Sequence, residues 1–274
     1  MTTKELKQKS IIYRKKILQY IVKAKAGHTG GSLSSTDILN VLYNKVMNVS
    51  PQNFTSTDRD RYVQSKGHCV EALYVVLADK GFFPEEDLDT LCKYQSKYIG
   101  HPTRKVNGIE QNTGALGHGL PICVGTALAA KLDQKDYRVF TLMGDGELPE
   151  GSNWEAALSA AHYKLDNLCA IIDKNTLQIT GPTADVCNTD PLDEKWKAFG
   201  WAVREVDGND VEALSATFAA LPFEKGKPSM VIAHTTKGKG VSFMENEVKW
   251  HHGVPNKEQY EQAINELDNL LLTL

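Results

Sequence analysis

No apolar run in this 274-residue chain approaches the roughly 18 residues that a membrane-spanning helix needs. The opening stretch, Met1 to Lys9, is polar, unlike a signal peptide. Charge of one sign is missing too: 31 basic and 34 acidic residues give a net charge of −3, with no block of like charges. Nucleic-acid binding needs a basic stripe, and none is visible. Cysteine is scarce. Cys69, Cys92, Cys123, Cys169 and Cys187 are odd in number, lack CxxC spacing and mostly stand in apolar stretches. They predict buried thiols in a reducing, cytoplasmic compartment rather than a disulfide framework. Without HExxH or clustered cysteines, a zinc site has no basis. Neither a repeat nor a linker-like stretch interrupts the chain. With 41% hydrophobic residues it can bury a substantial core, and one domain over 1–274 is the expected organisation.

Apolar spacing predicts a first helix over Lys4 to Lys25 that stops at Gly27, and a second from Ser34 or Ser35 to about Asn48. Arg61 to Ser65 reads as a short strand, followed by a helix over Val70 to Asp79 and another opened by Pro84. From residue 117 the pattern becomes regular. Helices over Leu120 to Leu132, Asn153 to Tyr163, Asp193 to Phe199 and Asp210 to Leu221 alternate with strands over Arg138 to Met143, Leu168 to Ile172, Trp201 to Val206 and Ser229 to His234. A last helix starts near Lys257, and its leucines (Leu267, Leu270, Leu271, Leu272 and Leu274) call for something to pack on. Strands alternating with helices predict an α/β fold, a parallel sheet covered by helices on both faces.

Ligands of open parallel sheets bind beyond the carboxyl ends of the strands. Lys66-Gly67-His68, Gly144-Asp145-Gly146-Glu147, Asp173 with Asn175, and His234 with Lys237-Gly238-Lys239-Gly240 all stand at such ends. A carboxylate at 145 and an amide oxygen at 175, on strands joined by one helical crossover, can lie close together. Hard oxygen donors of this kind suit Mg²⁺ or Ca²⁺, whose shell is completed by water and phosphate oxygens. Glycine lets the backbone approach a diphosphate, and a nearby helix start favours an anion. An Asp-Gly pair alone is more often just a tight turn, and the glycine loop after Lys237 is as well explained by flexibility as by phosphate. The spacing to Asn175 favours the site.

Gly144-Asp145-Gly146, 28 residues and then Asn175 resemble the motif of thiamine-diphosphate enzymes. The stretch Gly144 to Ala157 resembles transketolase, as do Gly27-His28, Gly30 to Ser34, Ser65 to His68, Gly100-His101-Pro102, Thr113 to Gly119, Trp196 to Trp201 and His252 to Pro255. These matches run in family order across nearly the whole chain. The resemblance implies a thiamine-diphosphate-binding fold, with Asp145, Asn175 and the Leu177 carbonyl as ligands of Mg²⁺ or Ca²⁺. It implies that Gly146 and His68 contact the diphosphate, and that Gly114 and Leu116 lie against the cofactor rings. Glu150 matches an acid at the subunit interface near the aminopyrimidine. His28, His101 and His252 match histidines around the reactive carbon, with His252 also reaching the diphosphate. The cofactor supplies the difficult carbon chemistry, and these residues orient substrate and move protons. Thr29 stands where the family commonly has proline, and His118 where other members carry Gln, so His118 is given no catalytic role. His162 and His251 read as ordinary histidines.

Only the first of the three domains of a whole transketolase is matched. The resemblance therefore implies an N-terminal subunit that moves a two-carbon ketol unit from a ketose phosphate to an aldose, or aldose phosphate, acceptor. It would work with a C-terminal subunit carrying the pyrimidine-binding domain, in a heterotetramer. Two other readings compete: a subunit of a deoxyxylulose-phosphate synthase-like enzyme or a 2-oxoacid decarboxylase, and a non-catalytic cofactor-binding module.

Overall fold

The computed structural model describes residues 1–274. In chain order its elements are helices α1 (Thr3–Ala24) and α2 (Thr29–Val41), strand β1 (Arg61–Gln64), helices α3 (Val70–Asp79) and α4 (Gly119–Leu132), and strand β2 (Val139–Gly144). Helix α5 (Gly151–His162), strand β3 (Leu168–Lys174) and a two-residue hairpin, β4 (Leu177–Gln178) with β5 (Gly181–Pro182), come next. The single turn α6 (Thr183–Val186), α7 (Leu192–Ala198), β6 (Ala202–Asp207), α8 (Val211–Ala219), β7 (Ser229–His234) and α9 (Lys257–Leu272) complete the chain.

Five strands form one sheet in the order β1-β2-β3-β7-β6, and every neighbouring pair is parallel. Side chains of a strand alternate between faces, so Phe140 and Leu142 join one core while Val139 and Met143 join the other. The larger core holds the inner faces of α1, α2, α3, α8 and α9, and the smaller holds those of α4, α5 and α7. Helices thus cover both faces, as the alternating pattern requires. No helix is long and apolar enough to cross a membrane.

The structure departs from the sequence reading in four places. Helix α2 starts at Thr29, five residues early, with Gly30 and Gly31 inside it and buried. These glycines serve close packing rather than a break: a Cβ on Gly31 would meet Cys69 Sγ at 2.4 Å. Beyond Pro84 the chain forms a 3₁₀ turn, Glu85–Thr90, not an α-helix. Cys69, Cys123 and Cys169 are buried as expected, but Cys92 and Cys187 lie in exposed loops. The C-terminal leucines pack on one side only. Leu267 is buried and Leu271, one turn on, reaches the core, whereas Leu272 remains 84% exposed.

Candidate active site

The parallel register sets the site. Gly144 pairs with Asp173 across β2 and β3, so the turn Asp145–Glu147 and the segment from Asp173 to Leu177 leave the sheet side by side. Nine of the eleven expected residues line one cavity of about 480 Å³ at this carboxyl edge: His28, His68, His101, Gly114, Leu116, Asp145, Gly146, Asn175 and Leu177. That volume lies in the range of small-molecule sites.

Asp145 is buried and has no cationic partner at ion-pair distance; its Oδ1 and Oδ2 accept the Gly146 and Thr176 N–H groups at 2.9 and 2.5 Å. Burial, and then the charge of Asp173, push its carboxyl up to about 6. Asn175 Oδ1 accepts the Leu177 N–H at 3.2 Å, and its Nδ2 reaches Ser34 Oγ at 3.5 Å. A buried carboxylate without a cation, beside an amide oxygen and a backbone carbonyl, is a donor set that fits a hard divalent ion.

Lys66 is the one cation paired here. Its ammonium bonds Asp173, whose carboxylate also accepts from Ser34 Oγ at 2.6 Å and from Thr235 Oγ1. Burial opposes both charges, but their mutual attraction outweighs it, holding Lys66 above and Asp173 below their ordinary ranges. Lys237 is different: it is 2% exposed, and its Nζ bonds the Leu177 carbonyl at 2.8 Å and His251 Nδ1 at 2.9 Å. Burial, reinforced by Lys66, lowers it to about 8. A buried ammonium with no carboxylate partner fits an anionic group of the ligand.

Five histidines gather around the cavity. The His28 ring centroid lies 5.1 Å from His68, 6.2 Å from His101, 5.6 Å from His251 and 4.2 Å from His252. Burial, with neighbouring histidines and lysines, lowers His28 and His251 to about 3 and drives His68 lower still; burial also lowers His101. These four rings are neutral near pH 7, able to donate at one nitrogen and accept at the other. Gly114 makes room for one of them. It has φ +136°, and a Cβ there would meet His101 Cδ2 at 2.6 Å.

Two expected residues lie off the cavity wall. Glu150 is exposed at the start of α5. The buried glutamate nearby is instead Glu147, which accepts from Ser65 Oγ, from Gly117 N at 2.8 Å and from Gly144 N at 3.1 Å. It staples the turn to the 113–119 loop. His252 is exposed at the rim, and the wall position belongs to His251, which sequence reasoning set aside. The buried Trp250, donating Nε1–H to the Phe243 carbonyl at 2.9 Å, fixes which of the two successive histidines turns inward. Thr29 also has a purpose, since its hydroxyl donates to the Gly253 carbonyl at 2.6 Å and ties the His28 and His252 loops together. His118 is exposed and outside the cavity.

Residues 7–267 match the family model described as "Transketolase, thiamine diphosphate binding domain". The chain is 52% identical over 267 residues to one subunit of the apulose-4-phosphate transketolase of Phocaeicola vulgatus, covering 97% of this chain and 95% of that protein. It is 40% identical to the "6-deoxy-6-sulfo-D-fructose transketolase subunit SqwG" of Clostridium sp., with 96% of each covered. Its fold matches the crystal structure of the Campylobacter jejuni transketolase with a TM-score of 0.90 and 32% identity, over 96% of this chain but only 43% of that one. The chain therefore spans less than half the length of that solved transketolase.

Proposed function

The chain belongs to the transketolase family, and we propose that it is the N-terminal subunit of a split transketolase, transferring a two-carbon ketol unit from a ketose phosphate to an aldose acceptor. One observation carries the reading. Lys237 joins a hard-oxygen donor set at Asp145, Asn175 and the Leu177 carbonyl to a cluster of neutral imidazoles within a single cavity. The likeness, over nearly their whole length, to proteins named as transketolase subunits supports the split arrangement.

Asp145, Asn175 and the Leu177 carbonyl would hold Mg²⁺ or Ca²⁺, and Lys237, His68 and the Gly146 backbone would hold the diphosphate of thiamine diphosphate. When bound, that cofactor supplies the carbon nucleophile and electron sink for making and breaking the carbon–carbon bond. The work of this chain is orientation and proton handling. Neutral His28, His101 and His251, with His252 at the rim, can give a proton to a sugar oxygen that gains charge or take one from a hydroxyl that loses it. The low-dielectric wall strengthens each such bond.

The cofactor rings need a second wall. Leu116 lines the cavity and Ile179, also on its lining, is 60% exposed, an apolar surface suited to cover by another chain. Exposed Leu158, on the helix that Glu150 opens, adds apolar surface that this chain leaves uncovered. A C-terminal subunit with the pyrimidine-binding domain would close the site, two such pairs forming a heterotetramer about a two-fold axis.

For the donor we propose a phosphorylated ketose of the apulose 4-phosphate kind, on the 52% identity to a protein named for that sugar. The test is a donor screen on the chain reconstituted with its C-terminal partner. Glycolaldehyde-unit transfer from apulose 4-phosphate exceeding that from xylulose 5-phosphate and 6-deoxy-6-sulfofructose supports the reading. Turnover of pyruvate instead of any ketose would overturn it.

A further inference from the structure

Glu71, on α3, is a carboxyl that the site described above does not use. It is 1% exposed, and the groups that favour its charge are hydrogen-bond donors, with no cation among them. Its Oε2 accepts from Ser32 Oγ at 2.8 Å and its Oε1 from the His28 backbone N–H at 3.3 Å. Those two donors bracket the start of α2, and the His28 side chain provides no capping bond of its own. A carboxylate from another helix thus caps α2, where the positive helix end favours an anion. The chain entering His28 runs directly over it: a Cβ on Gly27 would meet Glu71 Oε1 at 2.9 Å and Ile21 Cγ1 at 2.7 Å.

We propose that Glu71 is a positioning residue for His28: by capping α2 through the His28 N–H and Ser32 Oγ, its carboxylate sets how the His28 imidazole enters the cavity. Glu71 acts through His28 and touches neither substrate nor cofactor. The proposal rests on the transketolase reading only in taking His28 to face substrate.

A charged carboxyl can accept from both donors at once. A protonated one is a weaker acceptor for the His28 N–H and keeps Ser32 only by turning its O–H toward Ser32 Oγ, which then accepts instead of donating. Burial raises the Glu71 carboxyl to about 7, so the cap weakens as pH falls through neutrality. The groups facing it are His28 before α2, Cys69 on the turn before α3, Tyr74 on α3 and Cys92 on the loop after residue 91, while α1 presents the apolar Ile21. Burial raises Cys69 to about 11, raises Cys92 and Tyr74 as well, and lowers His28 to about 3. None of these neighbours titrates near 7, but the His28 ring also faces His252, His101 and Lys237, so an inflection there belongs to Glu71 only if it is lost in Glu71→Gln. A raised carboxyl costs stability as it ionises: the native chain keeps a proton that the unfolded chain has released, so stability falls with rising pH from about 4.5 to about 7.

The experiment follows the His28 ring resonance of the isolated chain by NMR against pH, in wild type, Glu71→Gln and Ser32→Ala, with thermal unfolding alongside. His28 is assigned by its loss in His28→Gln. The wild type is expected to show an inflection near 7 that Glu71→Gln lacks and that Ser32→Ala moves upward, because a donor favouring the charge is gone. Glu71→Gln is also expected to flatten the fall in stability between pH 4.5 and 7. In the reconstituted pair, Glu71→Gln should lower kcat about tenfold with KM changed less than twofold. An inflection unchanged in both variants, or kcat within twofold of wild type, overturns the proposal. A wild-type pair without ketol transfer would count against the functional reading alone, and the NMR titration would still decide the role of Glu71.

Discussion

Lys66 and Asp173 form an ion pair across the ends of β1 and β3 with side chains 2% and 0% exposed. Taking one partner away leaves a buried charge without compensation, which typically costs roughly 3–5 kcal/mol, whereas replacing both is often close to neutral. Lys66→Met should therefore lose stability on that scale in denaturant unfolding, and Lys66→Met/Asp173→Asn should recover part of it. A single variant within about 1 kcal/mol of wild type would show that the pair does not hold the strand ends together.

Asp145→Asn should weaken metal and thiamine diphosphate binding together, because Asp145 is one of the hard oxygen donors that would hold a divalent ion and, through it, the diphosphate. Titration calorimetry on the complex, with cofactor and Mg²⁺ varied in turn, checks it. Wild-type cofactor affinity in the variant removes Asp145 from the metal shell.

Lys237→Met should separate binding from stability. The buried ammonium has no carboxylate partner and sits below its usual range, so its charge is a cost to the folded chain. Its removal is expected to raise the melting temperature of the cofactor-free chain while weakening cofactor affinity at least tenfold. Unchanged affinity would move the diphosphate away from Lys237.

His101→Ala should lower kcat by about 10²–10⁴, the usual loss for a proton-transfer group, with little change in cofactor affinity. Gly114→Ala should reproduce part of that loss with His101 itself unmutated, since the added Cβ would clash with the ring, 2.6 Å from His101 Cδ2 at φ +136°. Steady-state kinetics beside cofactor titrations decide the matter. If affinity falls in step with rate in His101→Ala, the residue serves the diphosphate instead.

The alternating strands and helices from residue 117 onward were legible because β2, β3 and β7 are largely apolar runs that stop at glycine or polar residues. The Asp145 and Asn175 pairing was legible for the same reason, since strand ends share one edge of the sheet. Helix α2 was harder to read. Its opening glycines signal a break locally and prove to be a packing device against Cys69, which lies over thirty residues away. The choice between His251 and His252 depends on how Trp250 seats in the core, and neighbouring identical residues carry no sign of that. Glu147 and Glu71 are acids whose partners are backbone N–H groups and hydroxyls of distant segments; on sequence alone they look like any charge in a helix's first turn.

The central claim is that the catalytic site is shared between this chain and a second one. It is tested by assaying ketol transfer from a ketose phosphate, with thiamine diphosphate and Mg²⁺, by this chain alone, by its C-terminal partner alone and by the two mixed. The account predicts a folded but silent single chain, a silent partner, and activity that appears on mixing and saturates at equal amounts of the two. Full activity from this chain alone, with no partner detectable by mass spectrometry, would contradict it.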